Sequence, residues 1–324
     1  MKRKNYIKFM SIFLLLVVGL MLSACTPKAD VLVFGEGDWD SNAFHDQVAK
    51  FIIENGYDVE VDVVTSDTAI TIAGLQSDNV DVSLEIWSDN LPNYQSDLAD
   101  NLYQELGTNY DDNMQGLYIP AYLQLANPGL VTVSDLLDYD HLFPDPDNSG
   151  SGIIYGGPEG WGATAFLQKK MIEYGLDDLY IFRTIDSNAT LSATLATAYA
   201  QEEPWVGYNW EPTWIMGIYD MVLLTDSPYS AADFADGIGE FASVNVTVCT
   251  RNDFDTDYPE INAFLTNYTT SSALTNAGLG YMQENSVEAE AAAIWFLKTY
   301  DSVWNDWVPA DVYAKIIAAL DAED

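Results

Sequence analysis

The regular alternation of strand-like and helix-like patterns in the first third of the sequence constrains the fold most strongly. Apolar strand patterns occur at VLVFG (31–35), VEVDVV (59–64) and VDVSLEIW (80–87), and segments with helical spacing of apolar residues lie between them. Three strands and two helices within about sixty residues indicate βαβ units. The sequence therefore predicts an open α/β sheet of mostly parallel strands flanked by helices.

A second α/β region follows in the middle of the chain. The stretch GIIYGGPEGWGATAFLQKKMIEYG (152–175) combines a strand pattern, a glycine-rich turn and a helix pattern, and further strand patterns occur at 205–210 and 244–249. No Pro- or Ser-rich linker separates the two regions. Its absence favours two lobes joined by crossing strands over two independent domains.

We therefore predict an α/β fold with two lobes, each of which is an open, mostly parallel sheet flanked by helices. We assign residues 31–120 and 249–324 to the first lobe, and residues 121–248 to the second. We expect the chain to hinge near residues 119–125 and again near residues 244–249.

The N-terminal thirty residues have the pattern of an export signal. Four basic residues precede an apolar run from Ile12 to Leu22, which is short for a membrane span. The run ends in LSAC (22–25), which resembles the lipobox of bacterial lipoproteins, where the leader is cut before the cysteine and the thiol is acylated. We expect residues 1–24 to be a lipoprotein signal peptide and Cys25 to carry the lipid, with residues 25–30 as a tether to the outer face of the cell membrane.

The charge composition excludes several classes of partner. The 324 residues include 12 Lys and Arg against 50 Asp and Glu, which gives a formal net charge of −38. Nucleic acids and anionic membrane surfaces require a cationic face, so we expect neither as a partner. The acidity favours cationic partners or reflects adaptation to a salty habitat, and charge alone does not separate the two. With Cys25 acylated, Cys249 would be a lone thiol and no intramolecular disulfide is expected.

Several of the nine Trp residues directly follow strand patterns. Ligands bind outside the carboxyl ends of the strands in open α/β sheets, so these indoles are expected to converge on one crevice. Several indole faces around a small space form a box for a cation without hydrogen-bond donors, such as a quaternary ammonium group. The candidates are Trp39, Trp87, Trp161, Trp210 and Trp214. The remaining four are predicted to lie in hydrophobic cores: Trp205, Trp295, Trp304 and Trp307.

The order of these motifs resembles that of the glycine betaine/proline betaine substrate-binding proteins of ABC importers. The similar segments are FGEGDWDSNAFHDQVAKFIIENGYDVEV, VDVSLEIW, GPEGWG and VGYNWEPTW, and the resemblance covers most of residues 30–310. It implies a two-lobed periplasmic-binding-protein fold of the type II kind and an extracytoplasmic receptor that closes over its ligand. The implied partners are a small quaternary ammonium ligand and ABC permease subunits with a cytoplasmic ATPase, and no cofactor is implied.

The resemblance also implies roles for individual residues. Trp87, Trp161 and Trp210 would form a cage for the trimethylammonium group of a betaine, and the backbone amides of Gly162 and Ala163 would bind its carboxylate. Free N–H groups and the dipole at a helix N-terminus favour an anion there for independent reasons.

Two further Trp residues are expected beside this cage. Trp39 is expected either as a fourth wall or as a plug over the sheet, and Trp214 is expected to brace the cage from behind.

The sequence departs from the family pattern just after Trp87. Similar proteins often continue with W-T-P-L-H, in which the His helps to hold the ligand carboxylate, whereas Leu91 stands at that position here. Asn90 or Tyr94 could take the place of the His.

Acidic residues also lie near the predicted cage, namely Glu85, Asp89 and Glu159. A carboxylate at the cage would favour a cation that lacks its own acid and would repel the carboxylate of a betaine. A receptor for choline, carnitine or trimethylamine oxide is therefore the alternative to a glycine betaine receptor.

Two other classes of function are weaker alternatives. Glu85 and Glu211 both stand close to a Trp and could be the paired carboxylates of a glycosidase. However, the sequence contains no nucleophile-elbow, zinc-protease or P-loop motif, so we do not expect an enzyme. The other alternative is a sugar-binding lipoprotein, although a box of indoles offers few hydrogen bonds to a polyol.

We expect no metal site. His45 and His141 are isolated from each other, and two separate His residues do not make a zinc site. The loop DPDNSGSG (145–152) matches the first half of a calcium-binding loop, but Gly156 stands at the twelfth position, where a bidentate Glu is needed. An ordinary turn is therefore favoured there.

Overall fold

The computed structural model describes residues 31–37 and 39–323, which form two five-stranded sheets. The strands are β1 (Val31–Glu36), β2 (Glu60–Thr65), β3 (Val82–Trp87), β4 (Gln104–Tyr110), β5 (Gln115–Pro120), β6 (Gly152–Tyr155), β7 (Tyr180–Arg183), β8 (Gly207–Trp210), β9 (Met221–Leu223) and β10 (Val246–Thr250). The order is β2-β1-β3-β10-β4 in the first sheet and β7-β6-β8-β5-β9 in the second.

Four of the five strands in each sheet run in the same direction. In the first sheet β1 pairs in parallel with β2 and β3, and β10 lies antiparallel between β3 and β4. In the second sheet β6 pairs in parallel with β7 and β8, and β5 lies antiparallel between β8 and β9. The reversed strand of each sheet is the one by which the chain arrives from the other sheet. The prediction of two open, mostly parallel α/β sheets is confirmed.

Helices flank both sheets. They are α1 (Asp40–Gly56), α2 (Thr68–Gln76), α3 (Tyr94–Ala99), α4 (Ala121–Ala126), α5 (Gly162–Glu173), α6 (Asn188–Ala200), α7 (Trp214–Ile218), α8 (Ala231–Phe234), α9 (Phe254–Asp257), α10 (Pro259–Asn267), α11 (Ser272–Asn285), α12 (Ala289–Thr299), α13 (Asp301–Trp304) and α14 (Ala310–Ala322). Helix α1 packs against α12 and α14, so the C-terminal helices complete the first lobe.

Each lobe has its own hydrophobic core. In the first lobe, strand residues such as Phe34 and Leu84 pack against apolar residues of α1 and of the C-terminal helices. In the second lobe, Ile119 and Ile154 pack against residues of α5 and α6. Two such cores let each lobe keep its shape when the two move relative to each other.

The Trp residues predicted to be structural do lie in these cores. Trp304 and Trp307 are buried in the first lobe, where Trp295 is half-buried, and Trp205 is buried in the second lobe. The indole N–H of Trp304 donates to the carbonyl of Leu297 (2.8 Å), so burial leaves no polar atom of that ring unpaired.

The predicted lobe boundaries need correction. Residues 115–120, which we expected at the end of the first lobe, form β5 in the second sheet, and the boundary at 248/249 would cut β10, which lies wholly in the first sheet. The expected hinge at 119–125 therefore falls inside the second lobe. An apolar strand pattern shows that a segment pairs with a sheet, but it does not show which sheet.

The two crossing segments, 111–114 and 242–245, lie side by side. The amide Nδ2 of Asn113 donates to the carbonyl of Val244 (2.5 Å), and the backbone N–H of Val244 donates to Asn113 Oδ1 (2.9 Å). The hydroxyl of Ser243 donates to the carbonyl of Asp111. These hydrogen bonds join the two crossing segments, so the chain passes between the lobes through two segments that are bonded to each other.

The lobes also touch where α7 of the second lobe meets α11 of the first. A Cβ built on Gly217 would lie 2.0 Å from the backbone oxygen of Asn276, and one built on Gly280 would lie 3.1 Å from the backbone of Gly217. The side chain of Asn276 also accepts a hydrogen bond from the backbone N–H of Thr213 (2.8 Å). Glycine at both positions therefore allows the two helix backbones to approach closely.

The predicted signal peptide, Cys25 and tether lie outside the described residues. Among residues 31–37 and 39–323, no helix combines the length and apolar character that a membrane span requires. Cys249 is buried as a free thiol in the first lobe.

We predict that Gly217→Ala separates α7 from α11. The added methyl group would collide with backbone that cannot rotate away, and such overpacking costs about 1–3 kcal/mol. Urea unfolding of the purified protein measures the loss in free energy of unfolding, and small-angle scattering measures the separation of the lobes.

Gly107→Ala is the matched control, because its nearest neighbour would be the carbonyl of Thr266 at an ordinary 3.6 Å. We expect this variant to unfold like the wild-type protein. Equal behaviour of the two variants would contradict the close approach of the lobes at Gly217.

Candidate functional site

The predicted Trp residues stand where parallel strands end. Trp87 and Trp210 are the last residues of β3 and β8. Trp39 lies in the turn between β1 and α1, and Trp161 directly precedes α5 in the loop that follows β6. Because the carboxyl ends of parallel strands meet at one edge of a sheet, each lobe presents two indoles at the edge that faces the other lobe.

These indoles enclose a cavity of about 440 Å³ between the lobes. All five candidate residues line it, namely Trp39, Trp87, Trp161, Trp210 and Trp214. The first lobe also contributes Asp40, Ser41, Thr68, Asn90, Leu91 and Leu279, and the second lobe contributes Asn188, Ser192, Pro212 and Thr213. The lining thus combines the five indoles with polar residues from both lobes.

The wall in the second lobe is a cluster of three aromatic rings that contact one another. The ring of Trp161 stands at 79° to that of Trp210, with 5.4 Å between their centroids. Tyr208 lies behind them, nearly parallel to Trp210 at 5.5 Å. Two indoles at a right angle form a corner, and a cation placed in it can lie against a ring face.

The wall in the first lobe is held by a single carboxylate oxygen. Glu85 Oε1 accepts four hydrogen bonds, from Trp39 Nε1 (2.8 Å), Trp87 Nε1 (3.0 Å), Ser41 Oγ (2.9 Å) and Tyr110 Oη (2.9 Å). The residue is 1% exposed and does not line the cavity. Glu85, which the sequence analysis placed at the cage as a ligand contact, therefore lies behind the indoles and orients them.

Burial and hydrogen bonding act on Glu85 in opposite directions. Burial disfavours the charged form and raises the pKa of this carboxyl group to about 7, while the hydrogen bonds from its four donors lower it. The other oxygen, Oε2, has no hydrogen-bond partner among the described residues. The side chain therefore changes its charge close to neutral pH.

Two glycines make room for the indoles. A Cβ on Gly37 would lie 2.2 Å from the ring of Trp39, and a Cβ on Gly157 would lie 2.8 Å from the ring of Trp161. The rings lie directly against the backbone at these positions, which limits their freedom to turn.

The charges around the cavity are acidic or absent. Asp40 lines it, whereas none of the described Lys, Arg or His residues does. Sequence reasoning missed Asp40, although its position directly after Trp39 is the signal that could have identified it. The cavity is therefore suited to a cation or to a neutral group, and an anionic group would have to find its partners among amides and hydroxyls.

The other predicted acids and the substitutes for His lie elsewhere. Glu159 is exposed and does not line the cavity, and Asp89 accepts a hydrogen bond from the backbone of Asn245. Tyr94 is buried and donates to Glu105 (2.7 Å), so it points into the first lobe. Asn90 does line the cavity and is the remaining candidate for the place of the His.

The predicted carboxylate-binding amides begin helix α5. Gly162 is exposed and Ala163 half-buried, and neither lines the cavity. Their N–H groups form no hydrogen bond with other described residues, as is usual in the first turn of a helix. They follow Trp161 directly and are free to bind an acceptor beside its ring.

A smaller cavity of about 230 Å³ adjoins the same indoles. It shares Trp87, Trp161 and Trp210 with the larger cavity and adds Glu211 and residues 113–115. Burial raises the pKa of Glu211, and a long contact from Asn276 Nδ2 (3.5 Å) lowers it. The cage indoles thus border two spaces, with Asp40 in the lining of the larger one and Glu211 in the lining of the smaller one.

The structure supports an ordinary turn at residues 145–152. Both carboxylate oxygens of Asp145 are bound by Arg183 (2.7 and 3.0 Å), and Arg183 also pairs with Asp147 (2.9 Å). An arginine thus neutralises the acids that a calcium ion would need.

Neither His residue has other His or acidic groups placed around it as metal ligands. His45 is buried between Tyr268 (2.8 Å) and Thr275 (3.2 Å), and burial lowers its pKa to about 3, whereas His141 is exposed. No group of metal-ligating side chains occurs in the part of the chain that the structure describes.

A second buried acid lies near Glu85. Asp46 on α1 is fully buried, and neither of its carboxylate oxygens has a hydrogen-bond partner among the described residues. Burial and the negative charges of Glu36 and Glu85 raise its pKa well above the usual value. A carboxyl group in this setting is stable mainly in its protonated form.

Comparison with known proteins decides the family. Residues 30–299 match the family described as the substrate-binding domain of the ABC-type glycine betaine transport system. The chain belongs to this family. Its members are transport proteins and not enzymes, and the substrate-binding proteins of ABC importers are extracytoplasmic.

Solved structures of similar fold include several substrate-binding proteins. The glycine betaine/L-proline-binding protein ProX of Borrelia burgdorferi has 19% identity and a TM-score of 0.62, covering 89% of this chain and 100% of its own. Lactococcal OpuAC, closed around glycine betaine, has 20% identity and a TM-score of 0.61 (86% and 100%). An ABC-transporter choline-binding protein in complex with choline has 22% identity and a TM-score of 0.60 (90% and 98%). At these identities the similarity shows the two-lobed fold.

We predict that Asp46→Asn stabilises the ligand-free protein increasingly as the pH rises. The folded-state pKa of Asp46 lies above its unfolded value, so the wild-type protein loses stability as the pH rises above that unfolded value. Asn lacks this loss, because it is neutral throughout. Urea unfolding should show a gain in the free energy of unfolding at both pH values, and the gain at pH 8.5 should exceed that at pH 5 by about 1 kcal/mol or more.

An exposed acid provides the control. Glu159→Asn should leave the free energy of unfolding unchanged at both pH values, since this side chain lies in solvent. A gain for Asp46→Asn that is equal at pH 5 and pH 8.5 would contradict the raised pKa.

Proposed function

We propose that this chain is the receptor of an ABC importer and that it captures glycine betaine or a related quaternary ammonium solute in the cavity between its lobes. The observation that carries the proposal is the convergence of five indoles on one cavity without a Lys, Arg or His among its described lining residues. A methylated ammonium group has no hydrogen-bond donors, so ring faces are the protein surface that suits it best.

The lobes supply different walls of the cage. Trp87 and Trp39 belong to the first lobe, and Trp161 and Trp210 belong to the second. A ligand that touches both pairs binds the closed arrangement more tightly than the open one, and it stabilises closure by that difference in affinity. At about 0.5–2 kcal/mol per ring, four rings and a second anchor give a micromolar receptor.

The second anchor for glycine betaine would be the start of α5. The N–H groups of Gly162 and Ala163 are free and follow Trp161 directly, and the helix dipole favours an anion there. In place of the His of similar proteins, the cavity itself offers the side-chain amide of Asn90, and the amides of Gly162 and Ala163 lie beyond its lining, next to Trp161.

Choline is a second candidate because Asp40 lines the cavity and Glu211 lies in the adjoining space. A carboxylate at either position attracts a cation and accepts a hydrogen bond from a hydroxyl group. It would repel the carboxylate of a betaine, so the relative affinity for the two ligands reports which anchor dominates.

The proposed location is the outer face of the cell membrane, with a lipid on Cys25 as the anchor and ABC permease subunits as partners. The pattern of residues 1–25 supports the anchor, and membership in the family supports the partners. The glycosidase alternative loses support, because Glu85 is buried behind the indoles and cannot reach a sugar in the cavity together with Glu211.

Calorimetric titration of the purified protein against glycine betaine, proline betaine, choline, carnitine, trimethylamine oxide and a neutral sugar tests the proposal. We expect micromolar binding of at least one methylated ammonium compound and none of the sugar. Trp210→Leu should weaken that binding tenfold or more, because leucine keeps an apolar surface but removes the π face.

Trp295→Leu is the control, since this half-buried indole packs on the first-lobe core away from the cavity. Its affinity should match that of the wild-type protein. Binding of the sugar together with no measurable binding of any ammonium compound would refute the proposal.

A second prediction concerns the choice between the two leading ligands. Asp40→Asn should weaken choline binding about fivefold or more and leave glycine betaine binding unchanged or improved, because it removes a negative charge at the cavity wall. Glu159→Gln removes an equal charge outside the cavity and should change neither affinity. Equal losses for both ligands in Asp40→Asn would show that Asp40 does not discriminate between them.

A further inference from the structure

One buried oxygen atom holds both indoles of the first lobe. The four donors to Glu85 Oε1 come from four separate elements: the turn after β1 (Trp39), the start of α1 (Ser41), the end of β3 (Trp87) and the end of β4 (Tyr110). Because both indoles donate to the same oxygen atom, Glu85 Oε1 restrains the orientation of each ring relative to the other.

The described part of the chain places no cation beside this carboxylate. Among the described residues, no Lys or Arg forms an ion pair with Glu85, and its Oε2 atom is buried without a partner. A buried acid without a counter-ion costs stability, since a neutral side chain of the same shape could form similar hydrogen bonds. Because this arrangement lowers the stability of the fold, we expect it to contribute to ligand binding at the cavity.

We propose that Glu85 is a positioning residue whose Oε1 atom fixes the planes of Trp39 and Trp87 and whose charge, behind their N–H groups, strengthens the attraction of the cavity for a cation. The inference rests on the proposed function, because it names the source of part of the affinity for an ammonium ligand. Glu85 would raise the affinity in two ways, by fixing the geometry of the rings and by supplying a negative charge.

The charge acts on the cation without touching it. The carboxylate accepts from both indole N–H groups, so it lies at the ring edges that carry positive partial charge and leaves the ring faces to the cavity. A negative charge in a region of low dielectric constant attracts a cation over several ångströms, and the intervening rings exclude the water that would screen it.

This arrangement makes binding depend on pH. A cation in the cavity favours the ionised form of Glu85, so the affinity should rise as the pH increases through the pKa of about 7 and then level off. The titratable groups that interact with Glu85 are Asp46 on α1, Tyr110 on β4, and Tyr268. Behind them, His45 packs against both tyrosines, and Glu36 on β1 acts on Asp46. His45 and the tyrosines keep their charge state between pH 6 and pH 8.5, because burial lowers the pKa of the former and raises the pKa of the latter. Asp46 is the neighbour that requires a control.

The test compares three variants in the purified protein. Glu85→Gln keeps the shape and removes the charge, Glu85→Leu removes the acceptor as well, and Asp46→Asn removes the neighbouring acid, which bonds to no indole. Calorimetry with choline and with glycine betaine at pH 6 and pH 8.5 gives the affinities. The ¹H–¹⁵N spectrum of the ligand-free protein gives the indole N–H signals of Trp39 and Trp87.

We expect Glu85→Gln to bind choline at least tenfold more weakly than the wild-type protein at pH 8.5, to lose the pH dependence, and to unfold at an equal or higher urea concentration. Glu85→Leu should weaken both ligands further and should shift both indole signals. Asp46→Asn should stay within twofold of the wild-type affinity at pH 8.5. A purely structural role would instead lower the stability of Glu85→Gln and leave its affinity intact.

The indole signals separate this inference from the proposed function, because they need no ligand. In the wild-type protein they should move together with pH near 7. Unchanged signals in Glu85→Gln and Glu85→Leu, or wild-type choline affinity in Glu85→Gln at pH 8.5, would overturn the inference. A wild-type protein that binds no ammonium compound would refute the proposed function, and the signals alone would then decide whether Glu85 positions the rings.

Discussion

The common direction of the strands within each sheet is the constraint on which the site depends. Four of five strands in each sheet run the same way, so their carboxyl ends meet at one edge and deliver Trp87 and Trp210 there as final residues. The loops after β1 and β6 add Trp39 and Trp161 at the same edges. The paired crossing segments then bring the two edges face to face, which creates one cavity from two separately folded lobes.

The support behind the indoles differs between the lobes. In the second lobe, Trp161 and Trp210 pack against each other and against Tyr208, and these ring contacts set their angle. In the first lobe the rings are held by hydrogen bonds to Glu85. The first arrangement is insensitive to pH, whereas the second depends on a group that titrates near neutrality. A receptor built in this way would have one wall that is constant and one that responds to proton concentration.

The sequence predicted the fold class and the indoles that line the cavity, but it did not predict the depth of individual side chains. Alternation along a strand puts Glu85 and Trp87 on the same face, yet it does not show that the residue two positions before the strand end lies beneath the rings. The same limit explains Tyr94, because its position in the sequence does not reveal that its hydroxyl points to Glu105. The pattern of Trp residues after strands did not indicate Asp40, although this residue directly follows Trp39. The strand β5 was assigned to the wrong lobe because the local pattern of apolar residues does not show which distant strand a segment pairs with.

A crystal structure of the protein with the tightest-binding methylated ammonium compound tests the central claim most directly. The account predicts that the ammonium nitrogen lies within about 6 Å of the ring centroids of Trp87 in the first lobe and of Trp210 in the second, with no water between the methyl groups and the rings. A ligand bound to one lobe alone, or bound with its ammonium group directed to solvent and away from the indoles, would contradict the account.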